Sequence, residues 1–109
     1  MTREATTTAY DRVRDLPASS MARSVGDWLI AEMPTSVRAL RVYPAERSGL
    51  SFEFENGPWD LTVEIARDGM MLLYGEEIDG PREIEPFPFD AHSGEMVTRI
   101  SRLYVANDR

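Results

Sequence analysis

The chain has 109 residues, 42% of them hydrophobic and 28% charged, with a formal net charge of −7. This predicts one globular domain around a single core rather than a disordered segment. It contains no cysteine and no lysine, all 12 cations being arginine, so disulfides, thiolate–zinc sites, thiol nucleophiles, lysine Schiff bases and P-loop chemistry are excluded. No apolar run approaches the roughly 20 residues of a membrane span, and no apolar core follows Met1–Glu4, so a cytoplasmic location is expected.

Thr2 to Thr8 is polar and reads as a loose start. Ala9, Tyr10, Val13 and Leu16 fit a short helix that Pro17 interrupts, and Ser19 or Ser20 can cap a second one. Met21, Val25, Trp28, Leu29 and Met33 then recur at helical spacing, and Pro34 ends the run. Gly26 inside it costs about 1 kcal/mol against alanine.

The period then changes to two. Leu40 and Val42 alternate with Arg41 and Tyr43, and a turn at Pro44–Gly49 leads to Leu50, Phe52 and Phe54 alternating with Ser51, Glu53 and Glu55. Beyond Asn56-Gly57-Pro58, Trp59, Leu61, Val63 and Ile65 alternate with Asp60, Thr62 and Glu64. A two-residue Asn56-Gly57 loop would need the N–H that Pro58 lacks, so Phe54 is predicted opposite Leu61 and Phe52 opposite Val63, across a loop from Asn56 to Trp59. Arg67-Asp68-Gly69 is the next turn, and Met70 to Tyr74 is apolar at every position. Either Met71 and Leu73, or Met70, Leu72 and Tyr74, must therefore share a face with Glu53, Asp60 and Glu64. After Asp79-Gly80-Pro81, the segment Arg82–Phe89 holds only a short or edge strand because Pro86 and Pro88 cannot donate. Asp90 is a candidate cap for a last helix carrying Met96, Val97, Ile100, Leu103 and Tyr104.

The predicted class is α+β in two layers, as a single domain spanning residues 1–109. An antiparallel meander of four or five strands (about 37–89) packs on one face against an N-terminal helix or helix pair (about 8–33) and a C-terminal helix (about 91–104).

Charge is concentrated in the strand region. Ser48–Glu95 carries 12 acids against Arg67 and Arg82, a net −10, whereas residues 1–47 and 96–109 sum to +1 and +2. No catalytic, cofactor-binding or metal-ligating signature accompanies this block. His92 is the one histidine; its neighbours Asp90, Ser93 and Glu95 fit a helix start better than a catalytic dyad. Glu76, Glu77, Asp79, Glu83 and Glu85 lack the order of a calcium loop and fit a charged hairpin end that resists edge aggregation. Paired carboxylates such as Glu53 and Asp60 would need a cleft to separate their pKa values, which an open sheet face does not supply. Phe52, Phe54, Trp59, Phe87 and Phe89 stand among acids that repel phosphates, so direct nucleic-acid contact is not expected, nor is a membrane partner.

An acidic sheet face with apolar residues among the acids fits a non-enzymatic protein-binding module for a basic partner. Small acidic inhibitors of nucleic-acid enzymes (immunity proteins, antitoxins, anti-defence proteins) share these properties as a class. The expected contact residues are Glu53, Asp60, Glu64, Glu76 and Glu77, with Leu73 or Tyr74 as apolar anchors. Two alternatives are a homodimer through the same face or the Pro86–Phe89 edge, and a small-ligand or enzymatic domain with a helix–sheet pocket lined by Trp28, Met33, Trp59 and Met96.

Overall fold

The computed structural model describes residues 1–106, with side chains to residue 104. Helices α1 (Arg3–Asp15) and α2 (Ser20–Glu32) precede five strands, β1 (Val37–Ala45), β2 (Gly49–Asn56), β3 (Trp59–Ile65), β4 (Met71–Glu77) and β5 (Glu83–Phe89), and helix α3 (Gly94–Ala106) follows. The strands form one antiparallel sheet in the order β1-β2-β3-β4-β5, so the α+β meander expected from the alternation is the observed fold.

The first helix begins earlier than its apolar spacing implied. The Thr2 hydroxyl accepts the Ala5 N–H at 3.1 Å, so the threonine-rich segment is helical rather than loose. Ser19 caps α2 in the same way, accepting from Ala22 N at 3.0 Å, and its hydroxyl donates to the Arg67 carbonyl at 2.7 Å. The buried face of α2 is Ala22, Val25, Gly26, Leu29 and Ile30. Met21 is exposed, and Trp28 and Met33 flank the core, because the stripe is rotated to bring Gly26 against the sheet. A Cβ at Gly26 would lie 3.2 Å from both Leu50 Cδ1 and Phe52 Cζ, so the missing side chain is what lets the helix approach this closely.

Phe54 pairs with Leu61 and Phe52 with Val63, the expected register, but Asn56 also pairs with Trp59, so the loop is the two residues Gly57-Pro58 and not the expected four from Asn56 to Trp59. Gly57 makes the turn at φ 59°. At the next turn Ala66 N donates to Met70 O at 2.9 Å, leaving a three-residue Arg67-Asp68-Gly69 loop with Gly69 at φ 91°. That odd-numbered loop sets the register of β4: Ile65 pairs with Met71 and Val63 with Leu73. Met71 and Leu73 therefore join Leu50, Phe52, Phe54, Leu61, Val63 and Ile65 in the core, beneath Met96 and Ile100 of α3 and Val25 and Leu29 of α2.

Among the described residues, one polar side chain is buried in this core. Asn56 is fully enclosed; its Oδ1 accepts from Ser36 Oγ at 2.6 Å and its Nδ2 donates to the Ile100 carbonyl at 2.9 Å. It ties the end of β2 to α3 and to the segment leading into β1.

Candidate functional site: the uncovered sheet face

All three helices pack on one side of the sheet, and no described element covers the other. Pairing arranges that outer face in rows across the strands. One row reads Arg38, Glu55, Asp60, Glu76, Glu83. The next reads Arg41, Glu53, Thr62, Tyr74. The third reads Tyr43, Ser51, Glu64, Leu72, Pro88. The face is thus acidic at the β2–β3 hairpin end and becomes apolar toward the β3–β4 turn.

Two shallow hollows follow this gradient. One, of about 430 Å³, lies among Glu53, Asp60, Tyr74, Glu76, Glu83 and Glu85. The other, of about 730 Å³, is bordered by Tyr43, Pro44, Met70, Leu72 and Pro88, with Glu53 and Glu64 at its side. Directly opposed like charges on one sheet face destabilise it. Among the described residues the ion pair recorded on this face joins Arg38 Nε to Glu55 Oε1 at 3.1 Å, while Asp60, Glu76 and Glu83 stand side by side with no cation in an ion pair.

A β-bulge places the two cations. The register slips between Arg38 and Arg41, inserting one extra residue, and Ala39 sits at φ 56°. Continued from Arg41, a regular ladder would put Arg38 opposite buried Asn56; the bulge puts it opposite Glu55 instead, so both arginines flank the acids. The left-handed conformation of Ala39 costs roughly 1–2 kcal/mol and is the backbone strain of this site.

Tyr74 sits at the centre of the face. Partial burial, then the charge of Glu64 and a hydrogen bond to it, push the phenol above its ordinary value, and a hydrogen bond with Thr62 opposes them.

Glu53, Asp60 and Glu64 share this face, as their alternation predicted, and the register of β4 adds Tyr74 and Glu76 to it. Leu73 does not: it is 1% exposed in the core, because the odd-numbered loop turns it toward the helix side of the sheet, and it cannot serve as an anchor. Glu77 also leaves the set. It lies opposite Trp59 on the helix side and is ion-paired with Arg82, whose guanidinium stacks 5.2 Å from the Trp59 ring centroid. That pairing holds the Glu77 carboxyl below its usual range. At the apolar end, Met70 and Leu72 belong to one of the two sets that the sequence leaves open, whereas Tyr43, Pro44 and Pro88 and the arginines Arg38 and Arg41 carry no such expectation. Gly69 closing a three-residue loop was the available signal for the apolar end; nothing local announces the bulge that places the arginines.

Elsewhere, His92 is exposed at φ 59°, with its Nε2 3.4 Å from Ser24 Oγ and its ring edge-on to Trp28 at 5.7 Å. Met96 and Trp59 are buried, and Trp28 and Met33 pack against the core. The described residues hold no cluster of His, Asp or Glu with metal-binding geometry, and no described helix is long and apolar enough to cross a membrane. No family model matches the chain, and the comparisons with curated proteins and with solved structures find no match either.

Proposed function

We propose that this chain is a binding module, without catalysis of its own, that captures a basic protein on its outer sheet face in the manner of a small acidic inhibitor. The observation that carries the reading is the uncovered row Asp60–Glu76–Glu83, with Glu53 and Glu64 beside it. Lateral carboxylates without cations work against folding, and a basic partner supplies the missing charge. A second copy of the same face does not: it brings only Arg38 and Arg41 against Glu53, Glu55, Asp60, Glu64, Glu76, Glu83 and Glu85. Electrostatic attraction over such a field raises the association rate more than it lengthens residence.

The test is the variant Asp60→Arg/Glu76→Arg, with circular dichroism as the folding control. The native protein retains a basic partner whose association slows steeply with added salt, and the folded variant releases it. Equal retention by both proteins refutes the reading.

One observation favours a second reading, a homodimer through the β5 edge. Phe87 is 54% exposed there and packs against Phe89 at 5.2 Å, beside Arg99 and Arg102 of α3. Sedimentation from micromolar to millimolar concentration decides it: a monomer throughout removes it.

A further inference from the structure

We infer that the outer face reads its partner in two parts, taking basic side chains at one end and an apolar side chain at the other, about 13 Å apart. This rests on the basic-partner reading and adds a geometry to it. The spacing comes from β4: Glu76 in the acidic row and Leu72 in the apolar row are four residues apart on one strand and face the same way, which at about 3.3 Å per residue is about 13 Å.

The two ends differ in what they offer. The acidic end presents Asp60, Glu76, Glu83 and Glu85 around its hollow. The other end presents Tyr43 at 37% exposure and Met70 at 39%, with Leu72, Pro44 and Pro88 around the larger hollow. Charge alone would be satisfied by any cationic segment, whereas an exposed apolar hollow beside the acids favours a segment that also buries a large apolar side chain.

Docking is on the face rather than along an edge. Arg12 donates its Nε and terminal nitrogen to the Val42 carbonyl of β1 at 3.3 and 3.1 Å, so α1 occupies part of that edge. At the opposite edge Pro86 and Pro88 have no N–H to give an added strand. Recognition therefore falls to side chains, and an extended partner segment lying along the strands would carry its apolar residue four positions from its basic ones.

The probes are blocked peptides bearing three consecutive arginines and one tryptophan, separated by serines so that the tryptophan follows the last arginine by one, four or eight positions, plus a version without tryptophan. Backbone amide and methionine methyl NMR shifts report binding at each end up to millimolar peptide. The four-position peptide is expected to bind at least about tenfold more tightly than the others, the scale of one buried large apolar side chain. It should shift Met70 and Leu72 as well as Glu76. Leu72→Thr should abolish the gain while leaving the tryptophan-free peptide unaffected. Equal binding of all four peptides, with shifts confined to the acidic end, overturns the two-part footprint and leaves the basic-partner reading standing. Shifts at neither end overturn both.

Discussion

Asn56 gives the sharpest test of the packing that supports this face. Replacing it by alanine removes the bonds to Ser36 Oγ at 2.6 Å and the Ile100 carbonyl at 2.9 Å at a fully buried site. Each side-chain hydrogen bond contributes about 1 kcal/mol net, and the unfilled volume and the partners left without Asn56 add about 1 more. The expected loss is about 3 kcal/mol, a large part of the roughly 5–15 kcal/mol that holds a domain, or a fall in Tm of about 12–20 °C. Urea unfolding followed by the fluorescence of Trp28 and Trp59 measures it. The isosteric Asn56→Asp variant separates hydrogen bonding from volume. An ionised Asp can accept from Ser36 but cannot donate to Ile100, and burial raises its folded pKa above the unfolded value of about 3.9. The sign follows: the variant is most stable below about 3.9 and loses stability as pH rises through the raised folded value, so its deficit against the native protein widens from pH 4 to pH 7. An alanine loss under about 1 kcal/mol, or an Asp deficit that does not change with pH, refutes the bridging role assigned to Asn56.

Further outcomes follow from the same geometry. Gly26→Ala gains about 1 kcal/mol of helix propensity but presses a methyl against buried Leu50 and Phe52, so a net loss of about 1 kcal/mol is expected by chemical denaturation, and a more stable variant would contradict the close approach of α2. Leu73→Ala should cost about 3 kcal/mol and Leu72→Ala under about 1 kcal/mol; the reverse order would mean that the register of β4 is wrong. Ala39→Gly should relieve the left-handed backbone and stabilise the protein by about 1 kcal/mol in thermal unfolding, and no gain would argue against a strained bulge. In a 295 nm titration one phenol should ionise above its ordinary range and vanish from the curve in Tyr74→Phe; because the folded value is raised, the associated stability is complete below about pH 10 and is lost as pH rises through it. Four phenols titrating together near the ordinary value would contradict the burial and the Glu64 contact.

The alternation of Leu50–Glu55 and Trp59–Ile65, punctuated by Pro58, was enough to specify a hairpin, its register and its inward face, because side chains on a strand repeat every two residues and proline removes one closing bond. It also placed Glu53, Asp60 and Glu64 together on the other face. The same local logic stopped at Met70–Tyr74, where every residue is apolar and alternation carries no information; the three-residue loop and its left-handed Gly69 made the choice, sending Leu73 inward and Leu72 outward. Helix faces were less legible. The apolar stripe of α2 named Met21 and missed Gly26, since a glycine contributes no hydrophobicity yet permits the closest contact with the sheet.

What the chain's sequence determined by itself, then, was the class of fold, the acidic sign of one sheet face and the exclusion of lysine and cysteine chemistry, all of which depend on local periodicity and composition. The tertiary structure alone decided that Glu77 turns away to meet Arg82, that a bulge at Ala39 brings Arg38 and Arg41 to the border of the acids, and that the charge grades into an apolar hollow at Tyr43, Met70 and Leu72. Those features arise from the registers of neighbouring strands, where one inserted residue or one odd-numbered loop reverses the side to which every following side chain points.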